Sequence, residues 1–280
     1  MGTDSLDRAF ARLISRQPRF APEIGGVSPN GVHSRPDEGA LSSNENRHPS
    51  GPTSEQASGH KSAGATWTLS ELVDPSVMSR NVAAAQHQFQ LESEKDAAHL
   101  WFYSFCNTLV APSLWLMVQE SVCPSPNIDD GILQHREGMW WSFHPAATTT
   151  RDQFGAVFAD TIRPVIESLS EVTSVSPAPL RAIAADALGS AATEAGNDDF
   201  APGEGEECAA TCEEAFRKEA ATWDARVPPF RSQWITDAMG EERVVVVRSS
   251  CCMMYRSPMA DMCTNCPRRD KKSRRNLLEL

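Results

Sequence analysis

The chain has 280 residues, a formal net charge of −11 and 40% hydrophobic residues. That is enough apolar material for one large domain or two small ones, and it excludes a wholly disordered chain. No apolar run is long enough to span a bilayer; the longest candidate, Leu109–Val118, is interrupted by Pro112 and Ser113 and reads as a buried segment. The eight cysteines fall short of the density of a secreted disulfide scaffold. Met1–Phe20 mixes charged with apolar residues and has no signal-peptide core. A cytoplasmic protein is expected, with peripheral contact at the inner face of the cell membrane as the alternative.

In chain order, residues 1–20 are expected to hold one short amphipathic helix, because Leu6, Phe10, Leu13 and Ile14 recur at helical spacing. Residues 21–65 are rich in Gly, Pro, Ser, Asn and Glu and nearly devoid of bulky apolar side chains. Such a stretch cannot offset its ordering entropy by burial, so a disordered linker is expected there. His33, His48 and His60 lie in it too far apart to suggest a ligand set.

Residues 66–240 read as a mainly helical scaffold and substrate domain. Short helices are expected at Leu69–Leu72 and Val77–Leu91, punctuated by Pro75. Glu92–Val110 is the best helix of the chain, with Ala97, Trp101, Phe105 and Leu109 on one stripe. Cys106 falls within that stripe and reads as a small buried hydrophobe. Gly131–Gln134 and Met139–Phe143 predict a hairpin around Arg136-Glu137-Gly138. Neighbouring residues of a strand face opposite ways, so one of Trp140 and Trp141 belongs to the core and the other is free to line a cleft. His135, Arg136, Trp141 and His144 are the candidates for such a substrate cleft; the plainer reading makes them ordinary hairpin residues.

Further helices are expected at Thr150–Leu169, bent by Pro164, and at Leu180–Glu194. Glu194–Glu214 carries eight acidic residues and no basic one, with glycines and a proline, and reads as an acidic loop. Cys208 and Cys212 sit four residues apart there without a second ligand pair. Helices are predicted over Ala209–Trp223 and Gln233–Met239. Arg243–Arg248 is the strongest predicted strand, an unbroken run of valines between arginines.

That strand leads into the sharpest motif, in residues 241–267. Cys251 and Cys252 are adjacent, and Cys263 and Cys266 form a C-x-x-C pair ten residues later. Four thiolates suit a tetrahedral zinc or a [2Fe–2S] cluster, and by spacing alone both stay open; disulfides fit only a secreted protein. Adjacent cysteines can serve one centre only where the chain turns. Met253, Met254, Met259 and Met262 are placed to wrap such a centre in apolar surface. Residues 268–280 form a basic tail, with six basic side chains among the eight residues 268–275. It reads as a solvated tail or as a surface for an acidic partner or anionic lipid; nucleic acid is not expected, since no recognition helix accompanies it.

The order C-C-x10-C-x2-C, followed by Pro267, resembles the FhuF-like ferric siderophore reductases, and Arg248, Tyr255 and Arg256 resemble the family pattern as well. The chain departs from it at Met259-Ala260-Asp261-Met262, where members often carry a glycine-rich loop. The resemblance implies a [2Fe–2S] cluster held by Cys251, Cys252, Cys263 and Cys266. It also implies one-electron reduction of a ferric siderophore in the cytoplasm, fed by an electron-donor protein or an external reductant. Arg248, Tyr255, Arg256, Arg268 and Arg269 are then candidates for the surroundings of the cluster or for docking of substrate or donor. The expected fold is α+β, mostly helical, with a small antiparallel sheet and a C-terminal iron–sulfur lobe. A zinc-stabilised interaction protein and an iron–sulfur redox sensor are the alternatives.

Overall fold

The computed structural model describes residues 3–25 and 65–280, so most of the expected linker lies outside the described residues. Helix α1, Thr3–Arg16, buries Leu6, Phe10, Leu13 and Ile14 against the core. A 3-10 turn at Pro18–Phe20 leads into α2, Ala21–Ile24, where Phe20 and Ile24 are buried. The expected linker therefore begins too early at Ala21: one well-placed isoleucine anchors a turn that its polar surroundings conceal. Arg12 and Arg16 both reach Glu120 and tie this N-terminal segment to the end of a later helix.

Strand β1, Thr66–Trp67, precedes α3, Leu69–Leu72, and α4, Pro75–Gln88. Thr68 and Glu71 close a capping box on α3, and the Asp74 side chain caps α4 just ahead of Pro75. Helix α5, Glu94–Glu120, starts at Ser93, whose hydroxyl accepts from the Asp96 N–H. It was expected to stop at Val110 but continues through Pro112. An internal proline costs about 3 kcal/mol. Leu114, Trp115, Leu116 and Met117 are all buried beyond it, at roughly 1.5–3 kcal/mol for each large side chain, so burial wins. The helix is apolar all round and forms the centre of the fold, as such a helix must.

Strands β2, Gly131–His135, and β3, Trp141–Pro145, form the predicted hairpin, and β1 pairs with β2 to complete an antiparallel three-stranded sheet. Gly138 turns the hairpin at a φ of 64°, which favours glycine. Helices α6, Arg151–Thr173, α7, Pro177–Asp198, and α8, Pro202–Ala221, pack with α5 as a bundle. The crossings are tight: a Cβ on Gly155 would lie 1.8 Å from the Cys212 carbonyl oxygen.

Two expectations fail here. The acidic stretch Glu194–Glu214 is not a loop; it is the end of α7, a short reversal and most of α8. Gly196 and Gly205 are there for close packing, since a Cβ on Gly196 would meet Gly205 Cα at 2.7 Å. The segment Gln233–Met239 is not a helix either. Strand β4, Ser232–Thr236, pairs with β5, Glu242–Val246, across a turn at Gly240. Tertiary pairing overrides a weak helical preference there. Asn197 clamps β5 to α7, donating to the Val244 carbonyl at 2.8 Å and accepting from its N–H at 2.9 Å. The basic tail folds into α9, Lys271–Leu278, with Asp270 as its cap. Mostly helical α+β architecture with small antiparallel sheets is thus the observed class. Among the described residues no helix is long and apolar enough to cross a membrane.

Candidate metal centre

Past β5 the chain loses regular structure but not its anchors. Asp186, a buried acid on α7, accepts from the backbone N–H of Ser249 at 3.0 Å and of Ser250 at 2.7 Å, and from the Ser250 hydroxyl at 2.5 Å. This fixes the chain immediately before Cys251. Met253 then takes a left-handed conformation, φ 62°, and leads into a 3-10 turn at Met254–Arg256. The turn that the adjacent pair requires is therefore built around it. Asn265, between the other two cysteines, donates to the Val246 carbonyl at 2.8 Å and draws the return loop onto the end of β5. Arg269 donates to the Met262 carbonyl at 2.5 Å and closes that loop from behind.

These anchors bring the sulfurs together. Cys251 and Cys266 Sγ lie 3.8 Å apart. Two thiolates bound about 2.3 Å from one tetrahedral metal are separated by about 3.8 Å, so the spacing suits a shared metal. Cys252 and Cys266 are buried, Cys251 is half-buried and Cys263 is exposed. Among the described residues no set of three or more His, Cys, Asp or Glu side chains is arranged as a ready site for a single ion.

The charges around the sulfurs fit an anionic group. Burial pushes the Cys251 thiol up to about 11, with the neighbouring Cys266 and Cys252 adding to the shift. Burial also raises Cys263, opposed by Arg248. Metal binding reverses such shifts by stabilising the thiolates and releasing their protons. Arg248 is itself buried, and its Nη1 points to Cys263 Sγ at 3.8 Å. Its Nε lies 3.9 Å from Asp186, yet Nε and Nη2 make no hydrogen bond. Buried donors left open beside Cys263 fit an anionic iron–sulfur group.

The other predicted residues separate into groups. The Tyr255 ring carries the guanidinium groups of Arg256 at 5.3 Å and Arg268 at 5.7 Å. Met254 packs on the core, but Met259 is 62% exposed and does not wrap the sulfurs. In the hairpin, His135 meets Gly138 O at 3.0 Å and Arg136 is exposed. Trp141 and His144 are corrections to the expected cleft: both are buried. Trp141 packs against Trp67 and Phe105, and His144 Nε2 lies 2.9 Å from Asp7 Oδ1. The neighbouring Trp140 lies just ahead of β3 and is only half-buried, and it lines a cleft of about 270 Å³.

That cleft was not legible from sequence. Arg19 and Glu23 come to it from the N-terminal segment, Tyr103 and Trp115 from α5, Glu194 from α7 and Met254 from the cysteine loop. Tyr103 joins it to the sulfurs, for the Arg248 guanidinium stands 5.2 Å over its ring. Asp186 left a faint signal, a lone acid in the alanine-rich run of α7; the separation in sequence hid the rest. Of the remaining cysteines, Cys106, Cys208 and Cys212 are buried, and Cys208 Sγ lies 3.5 Å from Met117 Sδ inside the bundle.

A cysteine-rich segment at the end of a strand, with the Cys251 and Cys266 sulfurs 3.8 Å apart and a buried arginine facing Cys263, is the class of site defined here. Residues 248–268 match the family model of the FhuF 2Fe-2S C-terminal domain. The chain is FhuF-like over this segment, and its cofactor is a [2Fe–2S] cluster. No curated protein matches the chain.

Proposed function

We propose that the protein is a ferric siderophore reductase, with Cys251, Cys252, Cys263 and Cys266 as the ligands of its cluster. The observation that carries the reading is the matched segment, folded with the Cys251 and Cys266 sulfurs 3.8 Å apart and Arg248 facing Cys263. When bound, the cluster supplies a one-electron carrier. The chain's own residues do the rest. Asp186 holds the approach to Cys251, Arg248 offsets negative charge at the sulfurs, and Tyr103 and Met254 link that region to the neighbouring cleft. Siderophore oxygens are hard, anionic ligands that hold Fe(III) tightly; Fe(II) carries less charge and is released. The electron comes from a partner protein or an external reductant, and the proposed setting is the cytoplasm. Arg256, Arg268 and Arg269, with Tyr255 between two of them, are the proposed docking face.

The test is an anaerobic mixture of pre-reduced protein with ferric hydroxamate and ferric catecholate complexes. Reoxidation of the visible chromophore, matched by one Fe(II) trapped per protein, supports the reading. A chromophore that stays reduced with every complex, although its potential favours transfer, excludes it.

A further inference from the structure

Beside the cysteine centre, the cleft floored by Tyr103 and Met254 also holds a carboxyl group that the fold leaves unpartnered. Glu23 Oε2 is buried and has no hydrogen-bond partner among the described residues. Of the other polar groups of the cleft, Arg19 and Asn107 are already engaged, while Trp115 Nε1 is a buried donor without a hydrogen-bond partner among the described residues. The Arg19 guanidinium stacks on Phe20 at 4.9 Å and on Trp115 at 4.6 Å. Asn107 donates to the Tyr103 carbonyl at 2.7 Å. What remains is an aromatic wall, the half-buried Glu23 with its buried Oε2, Glu194 and two links to the sulfurs. One link is Met254, two residues after Cys252; the other is Tyr103, under the arginine that faces Cys263.

We propose that this cleft seats the iron-bearing end of the ferric chelate and that the Glu23 carboxyl gives its proton to the chelating oxygen as that oxygen leaves iron. The proposal rests on the reductase reading. One electron from the reduced centre, itself reduced by the donor, converts Fe(III) to Fe(II). The weakened iron–oxygen bond breaks, the oxygen keeps the electron pair, and a new O–H bond forms with the Glu23 proton. Solvent then reprotonates Glu23. Without a proton, the freed oxygen remains a strong base beside the metal and rebinds it. The environment keeps the acid loaded near neutrality: burial pushes Glu23 up to about 7 against the opposing charges of Arg19 and Arg136. Glu194, across the cleft, is likewise raised by burial, opposed by Arg19, Arg248 and Arg243.

The experiment compares wild type, Glu23→Gln and Glu23→Asp, each anaerobically pre-reduced, in single turnover with a ferric trihydroxamate between about pH 5.5 and 8.5. The ratio of wild-type to Glu23→Gln rate cancels the pH response of the chelate and of the centre. It should be of order 100 at the acid end, in the range of a general acid, and fall toward 1 as pH rises past 7. Glu23→Asp should keep a pH-dependent ratio. The redox-inert gallium(III) trihydroxamate, followed by tryptophan fluorescence, should bind wild type and Glu23→Gln alike and bind Trp140→Ala at least tenfold more weakly. A ratio of 1 at every pH overturns the role of Glu23, and gallium-chelate binding unaffected by Trp140→Ala overturns the seat; either leaves the reductase reading standing. A wild-type centre that no ferric chelate reoxidises at any pH overturns both readings.

Discussion

Asp186 holds Ser250 twice, accepting from its backbone N–H at 2.7 Å and from its hydroxyl at 2.5 Å. An acid on α7 thereby fixes the position of the first cysteine of the centre. The same carboxylate lies 3.9 Å from Arg248, so one residue serves both the backbone and the buried cation.

Replacing Asp186 by Ala should therefore cost stability and cofactor together. Removing one partner of a buried charged pair typically costs about 3–5 kcal/mol. Denaturation of the variant should show a loss of that order, and iron per chain should fall. Unchanged stability with a full complement of iron would show that the turn holds itself.

Arg248→Gln removes a positive charge directed at Cys263. Reduction adds an electron to an anionic group, so loss of a neighbouring cation must disfavour it. The midpoint potential should drop by about 60–130 mV, the one-electron equivalent of the roughly 1.5–3 kcal/mol of a charged hydrogen bond. A redox titration measures this; an unchanged or higher potential means that the guanidinium does not act on the centre.

Glu213 makes one large contribution to the pH dependence of stability. It is buried beneath the second sheet beside Asp186 and Gly189, and burial pushes its carboxyl from 4.5 up to about 9. The folded form binds the proton more tightly than the unfolded form, so this group's contribution to stability falls as pH rises from about 4.5 to 9. At pH 7 the penalty is roughly 3 kcal/mol. Glu213→Gln should remove most of it and flatten the stability profile over that window, as read by urea denaturation at several pH values. A parallel profile in the variant would place the titration elsewhere.

The basic segment offers two different outcomes. Arg269 reaches the carbonyl oxygens of Met262 and Cys263, whereas Lys271 and Lys272 are exposed on α9. Arg269→Gln should loosen the cysteine loop and lower iron retention at every ionic strength. Lys271→Gln with Lys272→Gln should leave iron retention intact and slow reduction by an acidic donor protein, more at low salt than at high salt. Equal rates at both salt levels would place donor docking away from α9.

How far the sequence could be read follows from how local each signal was. The cysteine spacing, the hairpin glycine and the apolar stripe of α5 are local patterns, and each marked its element. Pro112 and the glycines of α7 and α8 misled because proline and glycine also occur inside helices, where burial or close packing favours them. The valines of β5 were plain, but their partner β4 was hidden, since pairing is a tertiary fact. Trp140 and Trp141 were seen to face opposite ways, yet only the packing of Trp67 and Phe105 decides which is core. Asp186, Tyr103 and Glu23 reach the centre or its cleft from far away in the chain, with no motif of their own.

The most direct measurement is the cofactor content of anaerobically purified protein: iron, acid-labile sulfide and zinc per chain, with the EPR spectrum after one-electron reduction. The account predicts two irons, two sulfides, no zinc and a spin-½ signal. Serine at Cys251, Cys252, Cys263 or Cys266 should abolish or alter that signal, and serine at Cys106, Cys123, Cys208 or Cys212 should leave it in place. One zinc per chain with no labile sulfide, or a signal indifferent to the first four substitutions, would contradict it.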